Sequence, residues 1–86
     1  MAENRYEINV VYNGQPRSLE AEPHEAVTSV LERSIKLFGI TQQPHLLSLF
    51  FADGTVVDES KSVQAAGLTP GITVYLRPNV VKGGSF

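Results

Sequence analysis

One segment of this chain, "HEAVTSVLERSIKLFG" at residues 24–39, repeats its apolar residues at helical spacing, while the stretches around it alternate. Val27, Val30, Leu31, Ser34, Ile35 and Phe38 fall on one helical face. Glu25 lies in the predicted first turn and Lys36 in the last, where each charge suits the helix dipole. Gly39 supplies a left-handed stop. Residues 25–38 would rise roughly 21 Å, about the length of a six- or seven-residue strand. Such a helix can lie across a single sheet and cover its apolar face.

The sheet is written on both sides of the helix. "YEINVVY" at residues 6–12 puts Tyr6, Ile8, Val10 and Tyr12 on one face and Glu7, Asn9 and Val11 on the other. Asn13-Gly14 follows, a strong hairpin signal because both central turn positions need positive φ. The return strand "PRSLEAE" turns Leu19 and Ala21 inward, with Pro16 near its start, where an edge tolerates proline. After the helix, "TQQP" reads as a loop and "HLLSLFF" as a third strand. Leu47, Leu49 and Phe51 would face the helix and Phe50 the opposite side. Asp53-Gly54 turns into a short strand, "TVVD", and "SVQAAGL" reads as one helical or 3-10 turn. The last strand, "ITVYLR", alternates Ile72, Val74 and Leu76 with Thr73, Tyr75 and Arg77, and Pro78 is expected to stop it.

Composition narrows the function classes. Eighty-six residues give one modest core. No apolar run approaches the roughly 20 residues of a membrane span, and no signal peptide opens the chain. A cytoplasmic protein with no membrane partner is expected. Without cysteine there is no disulfide, thiolate nucleophile or thiolate metal site. A net charge of −2, with the basic residues scattered singly, argues against a nucleic-acid partner. His24 and His45 stand alone, without ligand spacing. No catalytic constellation is visible, so the chain reads as no enzyme and as needing no cofactor.

The order of hairpin, helix, two strands, short turn and final strand resembles the β-grasp fold of ubiquitin and its relatives. So do "SLEAEP" running into the helix, "LFFADG" after it, "SVQAAGL", and the closing "LR…GG". The resemblance covers residues 6–84 and implies an α+β fold, one helix on a mixed sheet of four to five strands. Residues 1–77 would form the ubiquitin-like domain and 78–86 a flexible tail carrying the glycine pair and two further residues. The details look more like the single-domain ubiquitin-like proteins of bacterial conjugation operons, some of which act in antiphage defence.

In ubiquitin-like modifiers the glycine pair is the chemical handle, and the resemblance places that handle at Gly83 and Gly84. Glycine leaves the acyl carbon uncrowded and gives the flanking backbone dihedrals closed to other residues. Residues 78–84 reach roughly 23–25 Å when extended, enough to enter a narrow active site. The resemblance implies an E1-like adenylating enzyme, an E2-like conjugating enzyme and a lysine of a target protein as partners. A deubiquitinase-like peptidase, with the zinc-dependent JAB/JAMM kind among the candidates, would cut between Gly84 and Ser85. Taken alone, "KGGSF" reads first as a fraying end, and it is the β-grasp resemblance that favours the handle.

Phe50 and Tyr75 match the exposed hydrophobic recognition patch of ubiquitin, with Thr73 and Arg77 beside them on the same face. Two solvent-facing aromatics on adjacent strands would form a partner surface; the alternatives are bulk that covers the sheet, or a register shifted by one residue. Arg77 matches an arginine that helps engage the activating enzyme, but "PNVVK" separates it from Gly83, a longer interval than in ubiquitin. Only Lys36, Lys61 and Lys82 are present, and none replaces ubiquitin's main chain-forming lysines, so polymeric chains are not expected. The free protein is expected to be a monomer. Two other readings stand beside the modifier: a sulfur carrier whose glycine pair becomes a thiocarboxylate, and a non-conjugated β-grasp adaptor.

Overall fold

The alternation in residues 6–21 produces a hairpin in the computed structural model, which describes residues 5–83. Strand β1 spans Tyr6–Tyr12 and β2 spans Gln15–Ala21, antiparallel, with Ile8 opposite Leu19 and Tyr12 opposite Gln15. Asn13 and Gly14 take φ of 52° and 78°, the positive pair that a two-residue hairpin of this twist requires. Helix α1 spans Val27–Leu37, strand β3 Leu47–Phe50 and strand β4 Thr73–Pro78. The sheet order is β2-β1-β4-β3, with β1 and β4 parallel at the centre and both outer pairs antiparallel. A single turn of helix, α2, closes the described chain at Val80–Gly83. No helix among the described residues is long and apolar enough to cross a membrane.

The inner face of the sheet and the apolar stripe of α1 meet as the sequence spacing predicts. Ile8, Val10, Leu49, Val74, Val27 and Val30 have no exposure, and Leu31 and Leu76 keep only 6% and 2%. Ser34, the one hydroxyl on that stripe, is fully buried and donates to the Val30 carbonyl at 2.8 Å. A buried hydroxyl satisfied one turn back costs little. Ile35 and Phe38 pack partly buried at the edge, where Phe38 lies 5.4 Å from the Tyr12 ring.

Three local expectations are corrected. The helix starts at Val27, so Glu25 precedes it and no acid occupies the first turn. Residues 25–27 are instead held extended against 61–63: the Val27 N–H donates to the Lys61 carbonyl, the Val63 N–H to that of Glu25, and Ala26 bridges Ser62. "TVVD" adds no fifth strand. Val57 N–H reaches the Leu49 carbonyl and Phe51 N–H that of Thr55, but the tight turn at Gly54 leaves room for one bridge, between Phe50 and Val56. The third strand begins at Leu47, not His45, because Pro44–Leu46 winds into a 3-10 turn.

Glu25 acts outside the helix as a connector. Its carboxylate accepts from Ser29 Oγ and Arg33 Nη2, each at 2.7 Å, and from the Glu22 N–H at 3.2 Å. Burial pushes the carboxyl up, but the hydrogen bonds from Ser29, Glu22 and Arg33 outweigh it and hold the group below its ordinary 4.5. A carboxyl depressed by folding stabilises above its unfolded pKa, and that stability is lost as pH falls through the folded value. Glu25→Gln is therefore expected to cost about 0.5–1 kcal/mol at pH 7. The deficit should shrink once the pH falls below 4.5, as urea unfolding across a pH series would show. A deficit unchanged down to pH 2 would assign the cost to shape and not to charge.

Candidate functional site: the outer face and the tail root

With the inner face spent on the core, every other residue of the strands points away from α1. The register aligns one row across the whole sheet: Pro16 opposite Val11, Val11 opposite Tyr75, and Tyr75 opposite Phe50. Val56 extends the row through its bridge to Phe50 and stays 46% exposed. Phe50 and Tyr75 are half-buried, as is Val11. The Arg77 guanidinium sits over the Tyr75 ring, 5.1 Å from its centroid, a stacked arrangement that leaves its charge at the surface. Thr73 lies one position along the face, opposite Asn9, which donates from Nδ2 to the Gly71 carbonyl.

All four residues of the predicted partner surface thus share one face, and the register is the one the alternation implied. Val11 and Val56 belong to the row as well. Alternation had put Val11 on the outer side, but only the parallel pairing of β1 with β4 sets it beside Tyr75. Val56 lies in the stretch expected to be a short strand, but its place in this row rests on its single bridge to Phe50. Arg77 lies opposite Ser48, whose side chain is fully buried beneath the residues that follow β4.

That following segment makes several bonds back to the body. The strand stops at Pro78, as expected: the proline is the last residue of β4, opposite Leu47, at the end of the ladder, where a missing N–H is tolerated. Two residues of the segment assigned to the tail, Asn79 and Lys82, bond back to the body. Asn79 donates from its backbone to the Leu46 carbonyl at 2.7 Å and from Nδ2 to Ser48 Oγ at 3.1 Å. Its Oδ1 accepts from the Val81 N–H, and its carbonyl from the Lys82 N–H, which closes the turn of α2. Lys82 Nζ reaches the Leu47 carbonyl at 2.6 Å and Glu59 Oε2 at 2.7 Å. Gly83 ends that turn, while Gly84, Ser85 and Phe86 lie outside the described residues.

The other singled-out side chains are dispersed. His24 lies 3.0 Å from Glu22 on the surface, and His45 sits in the 3-10 turn. Among the lysines, Lys36 is exposed on α1, Lys61 stands 3.9 Å from Asp58, and Lys82 is engaged as described.

A four-stranded mixed sheet crossed by one helix, in this strand order, is the ubiquitin-like β-grasp fold. It belongs to the family described as Protein of Unknown function (DUF2604), whose model matches residues 1–84. No curated protein matches the chain. Among solved structures, a de novo protein designed on ubiquitin superposes with a TM-score of 0.78 at 18% identity, covering 98% of this chain and all of that one. The ubiquitin of Caldiarchaeum subterraneum gives 0.72 at 19% identity, over 87% of this chain and 94% of its own. A ubiquitin-like domain from Arabidopsis thaliana gives 0.71 at 17% identity, over 90% and 80%. At such identities the likeness is one of fold.

Proposed function

We infer that this chain is a ubiquitin-like protein modifier: it is cut after Gly84 and joined through that glycine to target amines by E1-like and E2-like enzymes. The observation that carries the reading is a ubiquitin-like body whose last strand leads, through one turn, directly into the glycine pair. The chemistry is done to the chain, which supplies an uncrowded carboxylate for adenylation, thioester transfer and attack by an amine. The row from Val11 through Tyr75 and Phe50 to Val56 is the surface partners grip, with Arg77 as its charged rim. Bacterial conjugation systems, including those of antiphage defence, are the setting this reading favours.

A second reading, the non-conjugated adaptor, draws on the docking of Asn79 and Lys82 to the body, which a freely presented handle does not need. Intact mass of the protein from its native host separates the readings. Loss of the residues after Gly84, together with higher-mass adducts, supports the modifier. A gain of one sulfur at the glycine points to the sulfur carrier, and an unchanged mass to the adaptor.

The surface has its own test. Phe50→Ser with Tyr75→Ser is expected to weaken binding to an E1-like or E2-like enzyme by at least about tenfold, the effect of losing a central aromatic anchor. The fold should persist, because both rings lie outside the main core. A double variant that folds and binds at wild-type strength would remove this face from the account.

A further inference from the structure

The segment before the glycine pair is held by a closed polar network. Glu59 Oε2 accepts from Lys82 Nζ at 2.7 Å and from Ser48 Oγ at 3.1 Å; Ser48 Oγ in turn accepts from Asn79 Nδ2, and Lys82 Nζ also donates to the Leu47 carbonyl. Ser48 is fully buried, and the Lys82 and Glu59 side chains keep only 27% and 24% of their exposure. A lone surface ion pair contributes little. This one is reinforced by a hydroxyl, an amide and a carbonyl in partial shelter from water, where such networks strengthen.

The network opposes what an enzyme channel requires. The four residues of α2 would cover roughly 13–14 Å when extended, but only about 6 Å as helix. Asn79 and the α2 turn therefore draw the chain back toward β3, and Glu59 and the Leu47 carbonyl tether Lys82, the residue immediately before Gly83. We propose that Glu59, Ser48 and the Leu47 carbonyl form a latch that clasps Asn79 and Lys82, so that the glycine pair is presented only after Lys82 leaves Glu59. The purpose of the latch rests on the modifier reading; its existence is a property of the free chain. The enzyme suited to open it carries a carboxylate at the mouth of its channel, which exchanges for Glu59 as the partner of Lys82.

Trypsin probes both features of the latch, since it takes a lysine side chain into its pocket and needs the backbone extended. The Arg77–Pro78 bond is refractory because proline follows, so Lys82–Gly83 is the first tryptic bond beyond the sheet. Cleavage there is followed by intact mass on the full chain under native conditions. Where opening and closing outpace cutting, the rate tracks the open population. Glu59→Gln is expected to raise that rate about three- to tenfold, and Asn79→Ala likewise, with cleavage after Arg33 and Lys36 in α1 unchanged. Equal rates at Lys82–Gly83 in wild type and both variants would overturn the latch. A parallel rise at Arg33 and Lys36 would overturn it too, by making these residues supports of the whole domain. No conjugation enzyme enters this assay, so a failure of the modifier reading shows elsewhere, in the intact mass of the native protein, and leaves these rates as they are.

Discussion

Leu49→Ala is expected to lower the free energy of unfolding by about 2–5 kcal/mol. Leu49 has no exposure, lies on β3 opposite Leu76 of β4, and belongs to the core cluster that α1, the sheet and the buried loop residues Val57, Val63 and Leu68 build together. Nothing else in a chain of this size replaces that cluster: cysteine is absent, and small domains hold only about 5–15 kcal/mol in total. The melting temperature should fall by at least about 8 °C. Val80→Ala is the contrast, because the residue is 83% exposed and the change should stay within about 0.5 kcal/mol. Urea unfolding of the two variants gives the comparison, and a Leu49→Ala cost as small as that of Val80→Ala would place the core elsewhere.

What could be read from the sequence was whatever local rules alone decide. Asn13-Gly14 specified its turn because few other pairs accept two positive φ angles, and the alternation in β1 and β4 sorted inner from outer residues. The stripe on α1 identified its buried face down to Ser34. The misreadings occurred where a distant segment wins the backbone. Residues 25–27 have good helical spacing, yet Lys61 and Val63 take their hydrogen bonds and delay the helix. Val56 and Val57 have strand propensity, but the turn at Gly54 permits only one bridge.

The outer face shows the same division. Phe50, Thr73, Tyr75 and Arg77 were legible from period two, whereas the place of Val11 in their row depends on the β1–β4 register. The bonds of Asn79 and Lys82 to the body were not legible for a related reason. Proline and glycine suggest a loose end, and the partners that prevent one, Leu46, Leu47, Ser48 and Glu59, are more than twenty residues away in sequence.

The central claim, that Gly84 is the point of attachment, carries the second large effect. Adenylation and transfer need the carboxylate aligned within a narrow channel, and an error of about 1 Å there costs on the order of 100-fold. A β-branched side chain at residue 84 both narrows the backbone dihedrals and adds bulk beside the acyl carbon. The decisive measurement is ATP-dependent covalent adduct formation with an E1-like enzyme from the native host and a lysine-bearing target. It compares the full chain, a chain ending at Gly84, and that shorter chain with Gly84→Val. The chain ending at Gly84 should form the adduct without a peptidase, the full chain only after cleavage, and the valine variant at least about 100-fold more slowly. Adduct formation by the valine variant at the rate of the glycine chain would contradict the account, because the handle would then lie somewhere other than the glycine pair.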